Sequence, residues 1–506
     1  MNNLTLKLYD NEYWWSGNID IISMQPYTAK SKFKFDIANN EQWNQVNPVL
    51  FSSCGRWVWL ENYGTFEFND GILTVYSEGV INHGEEKSLK AAQLKVCNEF
   101  YKPNGKIVDP ITISAPQYCT WMELLYGQNQ QAVIDYAHRI IDNGMPAGEF
   151  IIDDGWQEYY GDWDFNLRKF PEPKKMCDEL KSLGFKVVLW IVPYVSPDSD
   201  VYRELLAKDC LIKARDGKPY MAEWWDGYSA MLDFTNPDAV EWFKKVYERL
   251  HNEYGVDGLK MDGGDARFAP KYPSGKIMAT ASEHSKLYAA FGDDFLPIKE
   301  LRACVKNGGK NIVQRVADRR HSWDRQNGLQ GLIDTMCLQG MCGYFYSCPD
   351  MVGGGHIADV DEGVALGEEL YIRYTEVCAL MPMWQYSKMF WKDSEKMTRV
   401  VKKMTALHTK FSDYFIELAK NASKTGEPVM RSICYEFGVR PDISDEFMIG
   451  DKYLVAPVVT PATFKRKVYL PKGKWTSVLD GKTYDGDCER EFDVALEELL
   501  YFEKAE

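Results

Sequence analysis

Hydrophobic and polar positions change rhythm twice along this chain. Over residues 1–110 they tend to alternate with period two, as in Lys30-Ser-Lys-Phe-Lys-Phe-Asp-Ile37 and Gly71-Ile-Leu-Thr-Val-Tyr-Ser77. Successive side chains of a strand face opposite ways, so this alternation predicts strands with one wet and one buried face. Arg56-Trp-Val-Trp-Leu60 is an aromatic, strand-like run, and Asn69-Asp-Gly71 is a hairpin turn signal. An antiparallel N-terminal β-sandwich follows.

Over 111–420 short apolar runs alternate with helical stretches. The predicted strands are Ile111–Ser114, Glu149–Asp153, Lys186–Val192, Gly258–Asp262, Asn311–Val316, Gly343–Ser347 and Ala379–Met383. Helices are predicted at Gln130–Asn143, Phe170–Leu183 and Ala239–Glu253. In the first of these, Val133, Ile134, Ala137, Ile140 and Ile141 share one face. Repeated βα units over this length predict a (β/α)8 TIM barrel, and no GxGxxG follows a strand as a dinucleotide fold requires. Over 421–506 strands return at Phe447–Ile449, Tyr453–Val459, Lys467–Leu470 and Trp475–Val478, which predicts a small C-terminal β-sandwich domain. The fold class is therefore multidomain α/β, a TIM barrel between two β-domains.

Charge narrows the choice of partner. With 74 acidic against 59 basic residues the net charge is −15, which argues against nucleic acid and against an anionic membrane. No run of ~18 apolar residues offers a membrane span. The 12 cysteines are scattered without a CxxC pair, and no apolar run follows a basic start; both point to a cytoplasmic protein. The seven histidines have no HxH or HExxH spacing, so neither a metal nor any other cofactor is expected. His284 and His408 read as ordinary surface or helix residues. The 16 Trp and 30 Tyr suit a ligand that stacks C–H faces on aromatic rings, as sugars do. A homo-oligomer is compatible with the sequence.

The stretch Tyr254-Gly-Val-Asp-Gly-Leu-Lys-Met-Asp-Gly-Gly-Asp265 joins a short strand to a glycine pair. It delivers Asp262 to the C-terminal end of a barrel strand, where this fold places catalytic groups. Lys260 faces the same way and would hold Asp262 ionised, as a nucleophile requires. Other carboxylates and indoles fall at equivalent ends: Asp153, Asp154 and Trp156, then Trp190, then Asp318 and Asp324, then Asp350. Such a bowl suits a sugar, and two carboxylates suffice to hydrolyse a glycosidic bond. Arg315, Arg319 and Arg320 surround Asp318 in sequence and would lower its pKa, whereas a general acid needs it raised. Asp324 is the rival for that role. His321 and His356 fall near enough for ligand or substrate contacts.

These motifs resemble glycoside hydrolase family 31, a family of retaining α-glycosidases. Gly255-Val-Asp-Gly-Leu-Lys-Met-Asp262 is similar to its nucleophile strand and implies Asp262 as nucleophile. Arg315-Val-Ala-Asp-Arg-Arg-His-Ser-Trp323, with Asn327-Gly-Leu-Gln-Gly-Leu-Ile333, is similar to its acid/base region and implies Asp318. Arg302 resembles a substrate-contacting arginine. Ser114-Ala-Pro-Gln-Tyr-Cys-Thr-Trp121 resembles the first barrel strand and loop, and Pro349-Asp-Met-Val-Gly-Gly-Gly355 the seventh. Asp451-Lys-Tyr-Leu-Val-Ala-Pro-Val458 and Val468-Tyr-Leu-Pro-Lys-Gly-Lys-Trp475 resemble the β-domain after the barrel. Gln326 stands where the family carries an Asp, and Asp265 where it carries a Glu. The likeness, over about 110 to 480, implies a retaining exo-α-glycosidase acting on an oligosaccharide or glycoside. α-Galactoside is the substrate expected, with α-glucoside as the alternative. Asp153, Asp154, Lys260, Arg302, Asp324 and Asp350 are the expected polar contacts of the sugar, and Trp121, Trp190 and Trp225 its apolar walls. A protein that binds sugar on this fold without turnover is the other reading.

Overall fold

The computed structural model describes residues 1–38, 46–388 and 390–505. Its centre is a ring of eight parallel strands: β1 (Gln117–Cys119), β2 (Glu149–Ile152), β3 (Lys186–Ile191), β4 (Gly258–Met261), β5 (Ile298–Leu301), β6 (Val313–Arg315), β7 (Tyr346–Cys348) and β8 (Gln385–Tyr386). They pair in the order β7-β6-β5-β4-β3-β2-β1-β8. The seam between β7 and β8 is closed just beyond β7, by a parallel bridge between Met351 and Gln385 and by Val352 N–H donating to Gln385 O at 2.8 Å.

The strands form where apolar runs can be covered on both faces. Val187, Val188, Leu189, Trp190 and Ile191 of β3 are all buried, as befits a parallel strand with helices outside and a filled lumen inside. The outer helix Gln130–Asp142 turns Val133, Tyr136, Ala137 and Ile140 inward, and the Asn129 side chain caps it by accepting from Ala132 N–H. Pro237–Tyr254 starts at an Asn236 cap followed by proline, and ends at Gly255. Gly255 adopts φ +79°, a left-handed conformation that glycine takes without strain, and it turns the chain toward β4. Register then sets Trp190, Lys260 and Glu300 side by side on β3, β4 and β5.

Two four-stranded antiparallel sheets form the N-terminal β-sandwich. The Asn69-Asp70-Gly71 turn links Thr65–Asn69 to Ile72–Ser77, with φ +48° at Asp70 and +74° at Gly71, both in the region a tight hairpin needs. C-terminal to the barrel, the helix Glu395–Thr425 leads to a six-stranded sheet and a two-stranded ribbon with their own core around Trp475, Leu454 and Phe502. The fold is therefore the expected barrel with flanking antiparallel sheets.

Several elements differ from expectation. Ile111–Ser114 is a helical turn, because Asp109 caps it and Pro110 opens it; the strand begins three residues later, at Gln117. Ala379 ends the helix Glu368–Ala379, and the eighth strand is Gln385–Tyr386. β5 went unpredicted because Ile-Lys-Glu-Leu-Arg looks like surface. Its charges are buried and paired: the Lys299 ammonium donates to Ala289 O and Phe291 O and pairs with Asp293. His284 and His408 are buried as well. His408 bridges Ala379 O and Ile113 O, and His284 contacts Ser274 Oγ at 2.8 Å.

Candidate active site

At the C-terminal mouth of the barrel lies a cavity of roughly 840 Å³, open solvent at its entrance included. Trp121, Asp153, Asp154, Trp190, Trp225, Lys260, Asp262, Arg302 and Asp318 all line it. Asp262 follows β4 directly, and Ile191 O takes its backbone N–H at 2.8 Å. Gly264, at φ +70°, lets the chain turn away at once; a Cβ there would lie 2.2 Å from the Tyr288 ring. That Tyr288 hydroxyl donates to Asp262 O at 3.0 Å, so the turn and the position of the carboxylate are one arrangement.

The Asp262 carboxylate accepts from Trp190 Nε1 at 3.0 Å and faces Arg302 Nε at 3.3 Å and Arg315 Nη2 at 3.5 Å. Burial pushes it up, but Arg302, Arg315, Lys260 and the Trp190 N–H outweigh burial and hold it well below the usual carboxylate range. The charge Lys260 was expected to supply thus comes chiefly from the two arginines. The Lys260 ammonium itself pairs with Asp153 at 2.7 Å, and the Cys119 thiol donates to the same Asp153 oxygen at 3.0 Å.

Arg315 is the hub of the site. Its guanidinium meets Asp318 at 2.6 Å, Asp350 at 3.0 Å, Glu300 at 3.3 Å and Asp262 at 3.5 Å. The other two arginines near Asp318 turn away: Arg319 donates to Gln326 O and Thr335 Oγ1, and Arg320 pairs with Asp359 and Glu362. The Asp318 side chain remains 31% exposed toward the cavity.

One wall is a hairpin, Met221–Trp224 paired with Gly227–Met231. At its tip Trp225 lies under the Arg302 guanidinium, 4.7 Å from ring centre to charge. Next to it Asp226 accepts from the Tyr160 hydroxyl, which also contacts Asp154 at 3.0 Å. Burial pushes Asp154 up to about 7, against its hydrogen bond from Gln157 and with the charges of Asp226 and Asp153 adding to the rise. Across the mouth the Trp121 indole donates to Gly355 O at 2.9 Å, which fixes its ring on the rim.

Two expected contacts lie elsewhere. Asp350, fully buried, stands behind the wall and holds Arg315 and the Arg319 N–H. Asp324 is turned into its own loop, where it accepts from the Ser322 hydroxyl and from the Gln326 and Asn327 N–H groups at 2.8 and 2.7 Å. A short carboxylate followed by two free N–H groups caps the turn and does not reach the cavity. His356 lines the cavity while its Nδ1 accepts from Ala358 N–H; His321 faces Val364 O. Three features were not legible in the sequence: Arg315 as a hub, Glu300 on the unpredicted strand, and Asp20, which reaches the cavity from the N-terminal region. No sequence signal points to Asp20, since only folding brings it beside Asn327.

Two family models match the chain: the glycosyl hydrolases family 31 TIM-barrel domain over residues 114–296, and the glycosyl hydrolase family 31 C-terminal domain over residues 426–505. The mouse (Mus musculus) myogenesis-regulating glycosidase is 31% identical over 404 residues, 76% of this chain and 56% of that protein. Alpha-glucosidase 2 of Bacillus thermoamyloliquefaciens is 26% identical over 74% of this chain and 51% of its own length. The chain thus spans about half the length of these curated relatives. A family 31 dextranase of Flavobacterium johnsoniae, solved with glucose, superposes with TM-score 0.86 at 20% identity, over 99% of this chain and 66% of that one.

Proposed function

We propose that this chain, which belongs to glycoside hydrolase family 31, is a retaining exo-α-glycosidase that removes a terminal α-linked hexose, in the first place α-galactose. The observation that carries this reading is that a single buried guanidinium, Arg315, touches both Asp262 and Asp318 at one cavity. Two carboxylates held this close suit the double-displacement reaction, in which they stand roughly 5–5.5 Å apart. Asp262, kept ionised, attacks the anomeric carbon. The bond from its oxygen to C1 forms as the bond from C1 to the departing oxygen breaks, and the proton of Asp318 passes to that oxygen. Asp318 then takes a proton from water as the water attacks C1 and frees Asp262. The charges of Arg302 and Arg315 stabilise Asp262 both before attack and as it is released.

Lys260 and Asp153 line the cavity as a buried ion pair, and the buried polar layer of Glu300, Gln385, Gln117 and Glu149 fills the lumen, which supports a sugar entering from the mouth and removal of a chain end. Asp153 and Asp154 both line the cavity, on the segment Ile151-Ile-Asp-Asp-Gly-Trp156, whose likeness to a galactose-binding loop of other α-galactosidases favours galactose. α-Glucoside is the second reading, favoured by the likeness to proteins named α-glucosidase. The 12 cysteines are free thiols, which supports a reducing compartment.

The deciding measurement is turnover of 4-nitrophenyl α-galactoside beside the α-glucoside, for the wild type and Asp262→Asn. Galactoside turnover, reduced by at least about three orders of magnitude in the variant, is expected. Glucoside turnover alone would reverse the sugar, and binding of either sugar without turnover would replace the enzyme by a sugar-binding protein.

A further inference from the structure

We propose that Glu300 is a positioning residue that keeps Arg315 in place while Asp262 is esterified, and so acts on the second half of the reaction; this rests on the reading of Asp262 and Asp318 given above. Arg315 is buried, and a cation out of water is stable only where its partners keep it. Three of those partners, Asp262, Asp318 and Asp350, stand at or behind the mouth. The fourth, Glu300, comes from β5 in the strand layer below and faces the Nε edge.

Glu300 is itself anchored. Its Oε2 accepts from Gln385 Nε2 at 3.1 Å, Gln385 also donates to Gln117 Oε1 at 2.8 Å, and Gln117 donates to Glu149. This polar chain crosses the lumen from β5 through β8 and β1 to β2, in a layer that barrels of this kind usually fill with branched apolar side chains. Its upper end is unfinished. Arg315 Nε and Glu300 Oε1 lie 3.3 Å apart, and neither atom makes a hydrogen bond. The two are already an ion pair, and a small rotation of the guanidinium would add the missing hydrogen bond.

The reaction supplies a reason for that rotation. When the bond between Asp262 and C1 forms, Asp262 becomes a neutral ester and Arg315 loses one of four anionic partners. At that stage Asp318 is a carboxylate about to accept the proton of water, with Arg315 Nη1 upon it. Glu300 gives the guanidinium a fixed alternative on its other edge, so that it is not drawn wholly onto Asp318. The charge of Asp262 is one of the influences that raise Glu300 above the usual carboxylate range, beneath the larger effect of burial. Esterification removes that influence, so the glycosyl-enzyme is the state in which Glu300 carries charge most readily.

The test uses whichever activated aryl α-glycoside the wild type cleaves. Glu300→Gln should lower kcat at least tenfold and KM in parallel, leaving kcat/KM within about threefold, because only deglycosylation is slowed. Intact-mass spectrometry during turnover should then show the glycosyl-enzyme accumulating. Equal losses in kcat and kcat/KM, or unchanged kinetics, would overturn the proposal. Glu300→Asp keeps the charge one methylene short and should show the same split at about threefold; equal losses there would sink the idea even if Glu300→Gln fails to fold. A wild type silent on every aryl α-glycoside removes the premise itself, a result distinct from an active wild type whose variants show no split.

Discussion

Asp318 and Asp324 are six residues apart, and their surroundings separate them. Asp318 faces the cavity on Arg315, whereas Asp324 is occupied by loop N–H groups. Asp318→Ala should therefore lose activity and regain it with azide on an activated aryl glycoside, yielding a glycosyl azide. Asp324→Ala should keep kcat within about twofold and lose about 1 kcal/mol of stability, as caps of this kind do. Azide rescue in the second variant and not the first would exchange the roles. The carboxylates at strand ends were legible because glycines and indoles surround them in sequence. Their partners were not. Lys260 stands two residues from Asp262 and suggested itself as counter-charge, but side-chain direction sends it to Asp153, and the arginines that hold Asp262 come from other strands.

At the scale of elements, the hairpin Met221–Met231, one wall of the cavity, is tied to the residues just beyond β2. Tyr160 ties the hairpin tip at Asp226 to Asp154, so Tyr160→Phe removes both bonds at once without removing a cavity-lining group. KM should rise roughly three- to tenfold with kcat little changed, the cost of about one hydrogen bond in binding. A fall in kcat with KM constant would show instead that the hairpin bears on chemistry. Elements with one rhythm were read well: Arg56–Leu60 and Phe447–Ile449 are strands with the predicted bounds. β5 and β8 were missed because their buried positions carry Glu300, Lys299 and Gln385. A polar lumen breaks the link between hydrophobicity and burial on which pattern reading depends.

The whole molecule buries several carboxyl groups without matching cations. Glu149 accepts only from neutral donors, Thr112 and Gln117, and burial pushes it up to about 7. In the unfolded chain it titrates near the ordinary glutamate value of about 4.3, so between these limits the folded state binds more protons. This contribution to stability is complete below the unfolded value and is lost as pH rises through about 7. Asp262, held low, has the opposite sign, and its contribution is lost only below the ordinary aspartate range. Thermal unfolding from pH 5 to 8 should thus show Tm falling with pH, and Glu149→Gln, isosteric and uncharged, should flatten the fall. A Tm that rises over this window, or an unaltered slope in the variant, would contradict it.

The N-terminal β-sandwich also bears on the site at this scale. Gln326 donates to Asp20 O and bonds to Ser23, Arg325 donates to Gln25 O, and Asp20 lines the cavity. The N-terminal region and the barrel therefore share one binding surface, and they share apolar packing as well: Trp15, Ile19, Ile22, Phe51, Trp57 and Trp59 belong to the same core as the barrel, while a second core fills the sandwich interior. Exchanging residues 1–110 for those of a relative would alter the pocket without touching a barrel residue. Because Asp20 lines the cavity, chimaeras joined after residue 110 are expected to differ from one another in the aryl α-glycosides they accept while every barrel residue stays the same.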